Sequence, residues 1–317
     1  MGGVASTSGL SSGISYCQKC PSIRSGDLIK RQNLFCFEMP VMPSWDAENP
    51  AIEKYLELFA QYEIELPTQY PLVSDLYSRQ LEVVIRHQVP IVSFTFGVPN
   101  KEVINTIQAY GGKVWMTVTN LLEAKQAQNA GADALILQGY EAGGHRASFN
   151  PDAKPSEQIG LISLLQLIAD SIDIPFIASG GLMTGKSIFA SMVLGAVAGQ
   201  LGTAFLSCEE AQLTSSWREA LVGAGGTDTV LTRSFSGRLA RGIVNKHTRV
   251  FEKVESQIPP FPYINAMTGP LRTRAKKADS CDHQSLWAGQ SCSLARFMTA
   301  ANLLELLSRE IKQAASF

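Results

Sequence analysis

The chain has no charge of either sign to spare. Its 317 residues carry 27 Lys and Arg against 28 Asp and Glu, a formal net charge of -1. Binding to nucleic acid through phosphates needs a basic surplus, so that class of partner is excluded. Long apolar runs are missing too. No stretch approaches the roughly 18 residues that a membrane-spanning helix requires. The first residues lack the basic-then-apolar order of a secretory signal, so a cytosolic protein is expected. Cysteine is sparse: the 6 thiols (Cys17, Cys20, Cys36, Cys208, Cys281 and Cys292) are scattered, unlike a disulfide scaffold. Cys17 and Cys20 form a lone C-x-x-C with no second ligand pair at zinc spacing, so two free thiols are expected and no metal.

What is present is a sizeable core. Hydrophobic residues make up 45% of the chain and charged residues 17%. The length suits one large α/β domain or two ordinary ones. From Pro90 onward, β-rich runs alternate with helical stretches. Ile91–Phe96, Lys113–Val118, Asp133–Gln138, Pro175–Ser179 and Ala198–Gly202 read as strands. Lys101–Ala109, Leu121–Ala130, Gly160–Ser171 and Gly185–Leu194 read as the helices between them. The strands are short, continuous and apolar, as when both faces of a parallel sheet are covered. Starts about 20 to 40 residues apart, each strand followed by a helix, define repeated βα units.

Such a series fits an open doubly wound sheet or a closed (β/α)₈ barrel. The glycines favour the TIM-type barrel: Gly139, Gly143, Gly144, Gly180, Gly181 and Gly202 all fall at carboxyl ends of strands, the rim where barrels build their sites. No G-x-G-x-x-G follows an early strand, which weakens the dinucleotide-binding alternative. Residues 46–88 are helical in pattern and read as an insertion. Residues 1–245 are expected to form the barrel with this insertion, and 246–317 a helical region packed on it, ending in a helix over Leu294–Ala314.

The stretch Gln138–Arg146 carries the most chemistry. A strand ends at an amide, Gly143 and Gly144 let backbone approach a flat or anionic ligand, and His145 arrives on the same rim. Histidine there can serve as base, acid or charge stabiliser. A second constellation, Ser179-Gly180-Gly181 with Gln200-Leu201-Gly202-Thr203, exposes backbone N–H groups at two successive strand ends and suits a phosphomonoester. Lys186 reads as a solvated charge. His87, His247 and His283 lack carboxylate or cysteine partners at ligand spacing and read as structural or exposed. Arg238, Arg241, Lys246 and Arg249 read as a solvated face, although Arg238 or Arg241 could meet an anionic substrate.

These residues resemble the nitronate monooxygenase family, once called 2-nitropropane dioxygenases, in its class I. The resemblance is carried by Ile91–Gly97, Gln138–His145, Ile177–Gly181 and Gln200–Thr203, and by the tail blocks Ser236–Gly242, Asn265–Leu271 and Ser285–Gln290. It implies a (β/α)₈ barrel holding FMN. Asn33, Gln138 and Gly143 would contact the flavin, and Gly181 with Gln200, Leu201, Gly202 and Thr203 would hold its phosphate. His145 matches the catalytic histidine, taking the α-proton of a nitroalkane or steadying the nitronate. The substrates implied are an alkyl nitronate, propionate 3-nitronate among them, and O2; the oligomeric state is left open. A similar Gly-Gly-His turn occurs in FMN-dependent enoyl-acyl carrier protein reductases, the nearest alternative. The first 32 residues depart from the pattern: Met1–Val4 or Gly9–Gly13 align with family segments, and either alignment leaves the first barrel strand absent. An inactive barrel remnant is therefore the third reading.

Overall fold

The computed structural model describes residues 31–74 and 76–316, with the backbone of one further strand, Ile14–Cys17. The alternative alignments of Met1–Val4 and Gly9–Gly13, and any pairing of Cys17 with Cys20, lie outside the described residues.

In chain order the strands are β1 (Ile14–Cys17), β2 (Arg31–Phe35), β3 (Ile91–Thr95), β4 (Lys113–Val118), β5 (Ala134–Gln138), β6 (Gly144–His145), β7 (Phe176–Ser179), β8 (Ala198–Leu201), β9 (Thr229–Thr232) and β10 (Ala240–Ile243). The main sheet runs β1-β8-β7-β5-β4-β3-β2. Every pairing from β2 through β8 is parallel, whereas β1 joins β8 antiparallel, with Ile14 opposite Leu201. The sheet is therefore the curled, mostly parallel, TIM-type α/β fold expected. At the edge of β8, where the sequence left a first strand wanting, a reversed one stands. The two ends of the parallel run come within side-chain reach, since Arg31 Nη1 of β2 donates to Gln200 Oε1 of β8.

Period-2 alternation assigns each strand residue its side. Leu135, Leu137, Phe176 and Ala178 face the helices and join the main core with Ile104, Leu164 and Ile188. Ile136, Ile177 and Ala198 face the interior beside Trp115. The next inward residues, at the carboxyl ends, are Gln138, Ser179 and Gln200, which are register partners across β5, β7 and β8. One alternation thus seals the barrel's base with apolar side chains and crowns it with polar ones.

The helices start where the sequence supplies caps. Asn120 Oδ1 accepts from Glu123 N at 2.9 Å, and Gly131 closes that helix, Leu121–Ala130, at φ +102°. Asn49 caps Pro50–Gln61 in the same way, with proline at the first helical position. Within the segment read as an insertion, Leu76–Arg86 contributes Val84 to the main core, with Leu81 packed against it. Pro50–Gln61 instead forms a separate core with the tail, where Ile52, Tyr55 and Phe59 meet Phe251, Tyr263 and Met267. The last helix is Ala300–Ala314, shorter than expected because Thr299 caps it by accepting from Asn302 N at 3.2 Å. It packs on Gly185–Val193 so closely that a Cβ on Gly185 would sit 2.5 Å from Leu307 O.

Candidate active site

A second, three-stranded antiparallel sheet, β6-β10-β9, stands over the rim. Sequence reading missed it, although the β-branched run Thr229–Thr232 is a strand signal. Its register puts Ala240 opposite His145 and Arg241 opposite Gly144, so the block Ser236–Gly242 lies alongside the Gly-Gly-His turn. The turn itself is held from beneath. Gln138 Oε1 accepts from Ala147 N at 2.9 Å and its Nε2 donates to His145 O at 3.0 Å.

Arg238 and Arg241 correct the expectation of a solvated face: they are 4% and 2% exposed, while Lys246 and Arg249 are exposed as expected. The signal missed was the run of backbone carbonyls that can satisfy a buried guanidinium. Arg146, also 2% exposed, donates to Gln138 O at 3.1 Å, Gly139 O at 2.5 Å and Gln158 Oε1 at 2.8 Å. Arg241 donates to Tyr140 O and Thr229 Oγ1, each at 3.1 Å, and its Nη2 has no partner among the described residues. Arg238 donates to Ser148 O and lies 4.0 Å from the centre of the Phe96 ring. None of the three forms an ion pair within 4.0 Å among the described residues, so their charge is left to act on the site. Burial lowers the Arg146 and Arg238 guanidinium pKa values to about 10, and both remain charged near neutrality.

His145 is half-buried and boxed by aromatic rings, with centroids at 6.2 Å for Phe35, 5.9 Å for Phe96, 5.9 Å for Phe261 and 5.6 Å for Trp287. Phe96 reaches this position with φ +82°, a strained conformation for an aromatic residue at the site rim. Burial, then the charges of Arg238 and Arg272, push the imidazole pKa down from 6.5 to about 3. The ring is therefore neutral near pH 7, with a lone pair to offer, and any anion arriving beside it would raise its basicity. His247 and His283, read as structural or exposed, are buried at 0% and 1% and face each other Nδ1 to Nδ1 at 3.2 Å. His87 is exposed.

The second constellation surrounds a cavity of about 110 Å³ lined by Gln138, Gly143, Ser179, Gly180, Gly181, Gln200, Leu201, Gly202, Thr203, Gly289 and Ser291, among others, with no Asp or Glu in the lining. Gly180 and Gly181 turn at φ +112° and +69°, open to glycine at little strain. Gly202 has no atom within 4 Å of where a Cβ would stand. The structure thus brings together every expected cofactor residue except Asn33, which stands in β2 and is not part of the lining. There its Oδ1 accepts from Ser93 Oγ at 2.8 Å and Thr95 Oγ1 at 3.0 Å. Lys186 is exposed. The tail block Ser285–Gln290, which carried no role from sequence, walls the cavity: Gly289 N donates to Thr203 Oγ1 at 2.9 Å and Gln290 N to Glu141 O at 2.9 Å. A Cβ on Gly143 would lie 2.5 Å from Gly289 N, which is why the turn needs glycine there.

An acid-free glycine cradle at the strand ends fits the phosphate of a flavin mononucleotide-like group, and Gln138 of its lining holds the loop that carries His145. Fold and site together define a flavin-dependent oxidoreductase barrel. A family model described as nitronate monooxygenase matches residues 33–310, and the chain belongs to that family. A "probable nitronate monooxygenase" of Staphylococcus aureus is 37% identical over 256 residues, which are 80% of this chain and 72% of the relative. The solved nitroalkane oxidase of Streptomyces ansochromogenes is 37% identical with a TM-score of 0.81, covering 90% of this chain and 81% of that one. FabK of Thermotoga maritima, at 24% identity and a TM-score of 0.63, covers 91% of this chain and 94% of its own, and shares the fold. No helix among the described residues is long and apolar enough to cross a membrane.

Proposed function

We propose that the chain is an FMN-dependent nitronate monooxygenase that oxidises alkyl nitronates with O2 to a carbonyl compound and nitrite, propionate 3-nitronate among its substrates, in nitronate detoxification. The observation that carries this reading is the placement of His145, enclosed by four aromatic rings on a loop held by Gln138 of the acid-free cradle. Gly180, Gly181, Gly202, Thr203 and Ser291 would hold the phosphate through N–H and O–H donors. Gln138 and Gly143 would lie against the rest of the cofactor, and Asn33 in β2 would add a contact from its own strand. A bound flavin supplies the redox chemistry.

The chain's own residues do the rest. The aromatic box excludes water and presents apolar walls to the alkyl part of a substrate. The Arg238 and Arg272 charges favour the nitronate over the neutral nitroalkane, lowering the acidity barrier to its formation. His145 takes the α-proton when a neutral nitroalkane enters and steadies the anion when a nitronate does. The test is anaerobic mixing of the FMN-loaded protein with propionate 3-nitronate, followed by admission of O2. Loss of the oxidised flavin spectrum and then release of nitrite are expected. A flavin spectrum unchanged by nitronate but bleached by a nicotinamide coenzyme would reject the proposal.

A further inference from the structure

Ser236 is 1% exposed, and its one hydroxyl meets three polar groups. Arg238 N donates to Ser236 Oγ at 3.3 Å, Ser236 Oγ donates to Arg238 O at 3.1 Å, and His145 Nε2 lies 2.8 Å from the same oxygen. A hydroxyl has one proton to give and two lone pairs to accept with. The Arg238 N–H can only donate and the Arg238 carbonyl can only accept. That carbonyl, on a residue 4% exposed, has no other partner among the described residues. Turning the Ser236 proton toward His145 would leave the carbonyl bare in the interior. It would also place the imidazole proton on Nδ1, which has no acceptor among the described residues. With the proton on Nε2, all three groups are satisfied at once.

We infer that Ser236 is a positioning residue that fixes the tautomer of His145, with Nε2–H donating to Ser236 Oγ and the proton-accepting lone pair held on Nδ1. The inference rests on the reading of His145 as the base. The α C–H bond of the nitroalkane breaks, its electron pair stays on the substrate as nitronate, and the proton moves to Nδ1. The imidazolium so formed keeps its Nε2–H bond to Ser236 unchanged, so no hydrogen bond in this network reorganises during the transfer. The charged groups that act on the ring are Arg238, in the segment leading into β10, and Arg272, on the tail helix Gly269–Lys277. Both favour the nitronate product.

The test uses the FMN-loaded protein labelled with ¹⁵N-histidine at pH 7, with His145 assigned by its loss in His145→Asn. The expected spectrum shows a protonated Nε2 and a bare Nδ1 for His145; a protonated Nδ1 would overturn the inference whatever the enzyme's activity. In Ser236→Ala the ring is expected to populate both tautomers. Its kcat/KM on a neutral nitroalkane should fall roughly 10- to 100-fold, by analogy with the loss of partners that orient metal-ligating histidines. Turnover of preformed nitronate should fall much less, because the proton is already gone, whereas a merely structural role would lower both together. Unchanged kcat/KM on the neutral nitroalkane in Ser236→Ala would also overturn it. If the parent enzyme turned over neither substrate, the functional reading would fall while the spectrum still decided the tautomer.

Discussion

Gln138 holds the main chain of His145. Its Nε2 donates to His145 O at 3.0 Å while its Oε1 accepts from Ala147 N at 2.9 Å, so one amide spans the turn that delivers the imidazole. The backbone N–H can only donate and the carbonyl can only accept, which settles which way the amide faces. A residue whose sequence position suggested flavin contact is thus also the clamp on the histidine's loop.

Replacing Gln138 with Leu keeps the side-chain bulk and removes both bonds. The His145 carbonyl and the Ala147 N–H would be left without partners, which destabilises by about 1–3 kcal/mol per buried group. The denaturant midpoint of Gln138→Leu should drop with an unchanged slope, and kcat/KM on neutral nitroalkanes should fall with it. A midpoint equal to the parent's would show that the clamp contributes nothing to the fold.

His145→Asn is expected to keep the FMN affinity of the parent, because His145 does not line the phosphate cavity. It should lose about 10²- to 10⁴-fold in kcat/KM on neutral nitroalkanes, the usual contribution of a positioned proton acceptor. Side-by-side flavin titration and nitrite assays check both halves. Full activity on neutral nitroalkanes would remove His145 from the reaction.

The alternation of βα units was legible because each buried parallel strand is a short apolar run closed by glycine. The predicted Lys113–Val118 and Leu121–Ala130 match the observed elements residue for residue. The glycine cradle was legible for the same reason, since strand-end glycines fall on one rim in any such barrel. The small sheet β6-β10-β9 was not. Its middle strand carries Arg241 and follows Arg238, and arginine in sequence reads as solvated; only the surrounding carbonyls, contributed by Gln138–Tyr140 and Ser148, allow the guanidiniums inside. The start of the last helix was misread because Leu294 continues its apolar pattern, whereas the capping Thr299 decides where the backbone turns. The reversed β1 was illegible too, since strand direction is set by pairing with β8 and leaves no mark on four residues.

Acid should destabilise the fold through buried His247 and His283 and half-buried His145. Burial lowers His145 and His247 from 6.5 to about 3 and His283 to about 4. In the unfolded chain these rings protonate near pH 6.5, whereas in the fold they stay neutral until about pH 3–4. Between those limits the unfolded state binds more protons, so stability falls as pH drops from about 6.5 toward 4 and is insensitive to these groups above 7. His247→Gln should flatten this part of the profile. Unfolding midpoints measured from pH 4.5 to 7.5 test it; an identical slope in both proteins would place the acid sensitivity elsewhere.

Gly202 separates ligand binding from folding. Its φ of -108° suits any residue, and a Cβ there would meet nothing within 4 Å, so Gly202→Ala should leave stability within about 0.5 kcal/mol of the parent. The same Cβ would project at the lining of the 110 Å³ cavity that the phosphate is proposed to fill. The FMN dissociation constant should therefore rise by about tenfold or more, the cost of roughly one lost or strained charge-assisted hydrogen bond. Riboflavin, which lacks the phosphate, should bind both proteins alike. Gly181→Ala is the contrasting case: φ +69° and a Cβ 3.1 Å from that of Glu141 make it strained before any ligand arrives, so its unfolding midpoint should drop as well. Equal FMN affinity in Gly202→Ala and the parent would move the phosphate out of this cradle, and a matching loss of riboflavin affinity would mean that Gly202 bears on the isoalloxazine side instead.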